Sequence, residues 1–120
     1  DVVVKNIVPL AEKRNRKRVR FSGQGQEELS GLLRGLIGLF DAFTGALASD
    51  DRRSMDNCFQ AARRFRKKCD TLRLAHLRRL VEGRRSSVET SGIHLDLLEN
   101  MRRLDSQIKG MCRYYLQEEG

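Results

Sequence analysis

The sequence predicts an all-α fold, an antiparallel up-down-up bundle of three helices behind a short N-terminal lead-in. Three observations predict it. There is one Pro in 120 residues, and Leu, Arg, Glu and Ala are abundant, a composition that suits helices. Three long stretches space their apolar residues alternately three and four apart, the seam of a packed helix. Two short polar breaks, near residues 49–51 and 83–87, separate these stretches. The length fits one domain, and a chain of this size buries roughly two-thirds of its unfolded surface. The expected division is a lead-in over residues 1–21 and a bundle over residues 22–120.

The lead-in starts with the apolar DVVVKNIVPL and continues into KRNRKRVR. Lys13, Arg14, Arg16, Lys17, Arg18 and Arg20 make that run almost wholly basic. The chain begins at Asp1 rather than Met, so a piece of a longer protein is expected. Within it, no stretch approaches the ~20 apolar residues of a membrane span, and no secretory signal is visible.

The first helix is expected over residues 25–48, with Ser22 as a candidate N-cap and Glu27 and Glu28 in the first turn. Leu29, Leu33, Leu36, Phe40, Phe43 and Leu47 give its seam, broadened by Leu32, Ile37 and Leu39. Gly31, Gly35, Gly38 and Gly45 lower its helix propensity. Ser49, Asp50 and Asp51 end it and cap the second helix, expected over residues 51–82. Met55, Cys58, Ala62, Phe65, Cys69 and Leu72 form the second seam. The other face carries Arg63, Arg64, Arg66, Lys67, Lys68, Arg73, Arg78 and Arg79. Gly83 is a stop signal. The third helix opens on the capping-box pattern Ser86-Ser87-Val88-Glu89 and runs to about residue 118. Thr90, His94, Leu97, Met101, Leu104, Ile108, Met111 and Tyr115 are its seam. At ~1.5 Å per residue each helix approaches 40 Å, and short connections require alternating directions.

The net charge of +8 is unevenly placed. Residues 1–20 hold seven basic and two acidic side chains, and residues 63–85 hold ten and two. Three explanations are open. The basic helix face is solvated and has no partner. It lies near an anionic inner-leaflet surface, where Lys and Arg accumulate. Or it meets nucleic-acid phosphates. The last is disfavoured, because the helical aromatics fall on apolar seams and leave no stacking platform.

The cysteines Cys58, Cys69 and Cys112 are odd in number and lack a C-x-x-C spacing, which argues against a disulfide framework or a zinc site. They read as small core residues of a reduced, cytoplasmic protein. The two histidines, His76 and His94, fall on apolar faces. A hairpin turning near residue 85 sets them opposite each other. Imidazole beside a carboxylate is metal-ligand chemistry, and His76, His94 and Glu89 are the residues from which such a site would be built. The favoured reading is a polar layer that fixes helix register, with no metal and no cofactor. No phosphate loop, H-E-x-x-H or G-x-S-x-G occurs, so no catalytic residues are assigned and an enzyme is not expected.

Residues 87–103 read SVETSGIHLDLLENMRR. This resembles the S-x-E-T-S-x-I-H-L-D-L-L-x-x-x-R-R segment of the PhoU-like domain in bacterial sodium/phosphate cotransporter family proteins. AHLRRLVEG, residues 75–83, is similar to the family's A-H-L-x-R-L-x-x-G. IVPLAEKRNRKRVRFS, residues 7–22, is similar to the connection that follows its transmembrane part. The resemblance makes His76, Glu89, Thr90, Ser91, His94 and Asp96 the motif residues. It implies a regulatory or assembly domain at the cytoplasmic face of the bacterial inner membrane. The implied partner is the transmembrane transporter part of the same polypeptide. The run at Lys13, Arg14, Arg16, Lys17, Arg18 and Arg20 would then lie at anionic inner-leaflet lipid. Stand-alone PhoU proteins carry E-x-x-x-D metal motifs. Against that pattern Arg102 takes the Glu position and Ser106 the Asp position, which puts metal binding of that kind in doubt. Such proteins also contain two three-helix repeats where this chain has length for one, so a homodimer is expected. A soluble PhoU-like regulator of phosphate uptake signalling, acting through protein partners, is the alternative. A basic helical nucleic-acid-binding module is the third.

Overall fold

The computed structural model describes residues 23–82 and 88–119. Three helices and no strand occur among them: α1 over Gly23–Ser49, α2 over Arg52–Val81 and α3 over Val88–Glu119. Each packs against the other two. The helices and their limits follow the apolar spacing. The basic lead-in with Lys13, Arg14, Arg16, Lys17, Arg18 and Arg20 lies outside the described residues, as do Ser22, Gly83 and the capping side chains of residues 86–89.

The α1–α2 connection shows why these helices stop where they do. Asp50 adopts a left-handed conformation at φ 50°. Its N–H donates to Leu47 O at 3.2 Å, and the Asp51 N–H donates to Ala46 O at 3.4 Å. That pairing closes α1 as a Schellman turn with Asp in the place usually taken by Gly. Asp51 then caps α2, accepting from the Arg53 and Ser54 N–H groups at 3.3 and 3.2 Å and from the Ser54 hydroxyl at 2.6 Å. These bonds, the Ser54 hydroxyl foremost, hold the Asp51 carboxyl below its ordinary range.

The core runs between all three helices. Met55, Cys58, Ala62, Phe65 and Cys69 are buried on α2, as their spacing predicts. On α1 the buried seam is Leu29, Leu32, Leu36, Leu39 and Ala46, with Phe43 packed against it. The expected seam is therefore half corrected. Leu29, Leu36 and Phe43 face inward, but Leu33, Phe40 and Leu47 lie outside together with Ile37. The cause is visible in the residues: α1 is apolar around more than half its circumference, so periodicity alone does not choose the inward face. On α3, Met101, Leu104 and Ile108 are buried as expected, whereas Met111 is exposed and its neighbour Cys112 fills the core.

The expectation that no stretch has the character of a membrane span is also corrected. Residues 25–49 are long and apolar enough to cross a membrane by length and composition. Core helices that are mostly buried pass the same test, but α1 buries only one seam, Leu29, Leu32, Leu36, Leu39 and Ala46, and leaves most of its apolar surface outside. The unusual part is the outer stripe.

Candidate functional site

All three helices contribute to one polar layer. His76 lies one turn beyond Leu72 on α2, and His94 lies one turn before Leu98 on α3. The imidazoles stack with ring centroids 4.0 Å apart and planes within 6°. His94 is only 1% exposed. Arg79, one turn beyond His76, makes a two-pronged bond to Glu28 of α1, with N–O distances of 2.8 and 3.3 Å. The two motif histidines thus meet as their positions predict. The side chains of Glu89, Thr90 and Ser91 lie outside the described residues. Asp96 is exposed, and among the described residues it is engaged through its backbone carbonyl, which accepts from Asn100 Nδ2 at 2.8 Å. The structure therefore does not bring the Asp96 carboxylate to the histidines.

Burial disfavours the charged form of both rings. His94 is pushed down to about 4, by burial first and then by His76 and Arg79. His76 is lowered by burial and Arg79, against a smaller opposing pull from Glu28. Both are neutral at pH 7. Imidazole lone pairs lie in the ring plane, so two rings stacked face to face send theirs into parallel planes. They do not converge on one ion. Among the described residues no three His, Cys, Asp or Glu side chains gather in a metal-binding group. The layer joins all three helices at one level: Arg79 of α2 reaches Glu28 of α1, and His76 of α2 stacks on His94 of α3.

A second buried group escaped the sequence reading. Asp105 of α3 is 0% exposed, and neither carboxylate oxygen has a hydrogen-bond partner among the described residues. Burial raises its pKa to about 6, outweighing the opposing pull of Lys109, Arg66 and Arg102. Around it lie the three free thiols. Burial pushes Cys69 and Cys112 up to about 12 and Cys58 upward as well, and Asp105 adds to each. Cys58 Sγ donates to Leu39 O at 3.9 Å, and the Cys112 thiol donates a hydrogen bond to the Cys58 sulfur. These are inert thiols, far from the depressed values of reactive ones. The signal for Asp105 was present: Met101, Asp105, Ile108 and Cys112 repeat the 4-3-4 spacing of an inward face. Glu28 and Arg79 were also missed as a pair, because each looked like an ordinary member of a charged surface.

At the opposite end of α2, the Arg52 guanidinium donates to Leu116 O at 2.6 Å, and the Tyr115 hydroxyl donates to Asp50 Oδ1 at 2.6 Å. Phe43, Leu47, Met111, Tyr114 and Tyr115 line an open, mainly apolar groove of about 720 Å³ between α1 and α3. No known protein family, curated protein or solved structure matches the chain.

Proposed function

We propose that this chain is the regulatory or assembly domain of a sodium-dependent phosphate cotransporter-like membrane protein, built as an up-down-up bundle of the PhoU type at the cytoplasmic face of the membrane. The observation that carries the reading is the meeting of the two segments on which the resemblance rests. A-H-L-x-R-L-x-x-G supplies His76 and Arg79, S-x-E-T-S-x-I-H-L-D-L-L supplies His94, and the two imidazoles stack at 4.0 Å. Segments that share a layer in this way are expected of a domain whose helices keep a set register. The up-down-up course is supported by contacts at both ends: Glu28 near the start of α1 bonds to Arg79 near the end of α2, and Arg52 at the start of α2 bonds to Leu116 near the end of α3. The domain's part is to regulate or assemble the transporter, while ion movement belongs to membrane segments elsewhere in the polypeptide. The basic residues before the bundle lie against anionic lipid in this reading.

The gene upstream of Asp1 is the first test, and it is expected to encode several apolar spans in frame. An initiator Met immediately before Asp1 overturns the proposal. Where the spans are present, deleting the bundle from the full-length protein in phosphate-starved cells is expected to change sodium-dependent phosphate uptake. Unchanged uptake and unchanged assembly of the membrane part overturn the regulatory role.

A further inference from the structure

The outer stripe of α1 is a second, unused helix-pairing seam. Leu33, Ile37, Phe40, Thr44 and Leu47 recur at spacings of 4, 3, 4 and 3. Leu33 is 48% exposed and Ile37 53%; Phe40 and Leu47 are exposed beside them. Thr44 is the one polar residue in the row. Its hydroxyl donates to the carbonyls of Phe40 and Asp41 at 3.0 and 3.1 Å, which satisfies the hydroxyl within the helix and leaves a methyl to pack. The stripe continues across the apolar groove onto Met111 and Tyr114 of α3. A row of a and d positions of this kind, left in water, is the signature of a partner helix.

Flanking charges identify the partner. With Leu33, Phe40 and Leu47 as d positions and Ile37 and Thr44 as a positions, Arg34 and Asp41 both occupy e. Both are exposed, and neither makes an ion pair among the described residues. They are seven residues apart, ~10 Å along the helix, too far to neutralise each other closely. In an antiparallel pair of identical helices the same flank of each meets the other. Layers then form between Ile37 and Phe40 of the second copy, and between Leu33 and Thr44 of the second copy. Arg34 lies between those two layers, level with Asp41 of the second copy, and two-fold symmetry repeats the pair. A parallel pairing gives no such match, because e positions would meet g positions, and here those are the buried Leu36 and the core-packed Phe43.

We propose that two copies of this chain pair through the outer face of α1, antiparallel and two-fold symmetric, with the partner's α1 seated in the α1–α3 groove. An isologous contact of this kind is self-closing and yields a dimer, not a filament. A lipid surface is a poorer occupant. α1 holds three acidic residues and one basic one, so it offers anionic headgroups no attraction. The cations of α2 border the other flank of α1, where Arg64 and Lys68 line a groove with Gly35 and Gly38. The pairing rests on this surface alone and stands or falls separately from the transporter reading.

Light scattering of the 120-residue chain at about 100 μM, a concentration that populates a dimer of micromolar Kd, is expected to give twice 13.8 kDa. Ile37→Lys is expected to give the monomer mass with unchanged helical content, since the position is exposed in the bundle. Arg34→Asp and Asp41→Arg each place like charges together and are expected to weaken pairing about tenfold. The double reversal restores the complementarity and is expected to return the affinity to the starting value. A monomeric starting protein, an Ile37→Lys variant that stays dimeric, or a double reversal that fails to restore pairing overturns the proposal. So does a monomer that binds anionic vesicles and loses that binding on Ile37→Lys, which would assign the face to lipid.

Discussion

His94 and Asp105 are buried titratable groups that pull stability in opposite directions with pH. The folded-state pKa of His94, about 4, lies below the ~6.5 of an unfolded histidine. The unfolded chain therefore binds more protons between those values, and His94 makes the fold less stable as pH drops from ~6.5 toward 4. Asp105 is the reverse. Its folded-state pKa of about 6 lies above its ordinary 3.8, so its contribution is present below 3.8 and is lost as pH rises through 6. Asp105→Asn removes the buried ionisation and is expected to raise stability by on the order of 2 kcal/mol at pH 8. The gain should vanish below pH 4 in urea denaturation series; an equal gain at both pH values would contradict the assignment. His94→Ala deletes a packed ring and is expected to cost about 2 kcal/mol at neutral pH, without change in metal content. A ring proton of His94 that titrates above 6 by NMR would refute its neutral, buried state. The histidine pair was legible in the sequence because both residues continue apolar seams and lie about equally far from the break expected near residue 85. Asp105 was not singled out, since a carboxylate flanked by charged neighbours reads as surface unless its seam position is weighed first.

At the scale of the helix, α2 was the most legible element and α1 the least. On α2 one face is apolar and the other cationic, so a single rotation satisfies the pattern. On α1 two apolar rows differ by one residue, and spacing alone does not distinguish Leu32, Leu39 and Ala46, which are buried, from Leu33, Phe40 and Leu47, which are exposed. The glycines of α1 differ in the same way. A Cβ at Gly38 meets nothing within 4 Å, while one at Gly35 comes 3.4 Å from the Phe65 ring. Gly38→Ala is therefore expected to raise the stability of the bundle by up to ~1 kcal/mol through helix propensity alone. Gly35→Ala is expected to gain less, because its methyl closes on an aromatic ring already in place. Thermal melts that reverse this order would show that the close approach at Gly35 leaves more room than the contact implies.

For the whole molecule, charge is concentrated on one helix. α2 carries ten basic and two acidic residues, while α1 and α3 each carry more acidic than basic ones. Of its bridges to the neighbouring helices, Arg79 to Glu28 engages a cation of α2, whereas Asp70 to Arg102 at 3.5 Å engages one of its two carboxylates, so most of the cationic face is left in water. Self-repulsion along that face is screened by salt. The thermal midpoint is expected to rise as ionic strength increases from about 0.02 to 0.3 M, over which the Debye length falls below the spacing of the cations. A midpoint that falls with salt would mean that the inter-helix bridges outweigh the repulsion. The turn at Asp50 and Asp51 bears on the molecule as a whole in another way. Hydrophobicity leaves α1 close to rotational degeneracy: turned by one residue, it would still offer leucines to the interior. The left-handed Asp50, held from the far helix by the Tyr115 hydroxyl, acts as a detent against that rotation. A two-residue corner thereby decides which row of α1 is spent on the monomer's own interior and which is left to seek company.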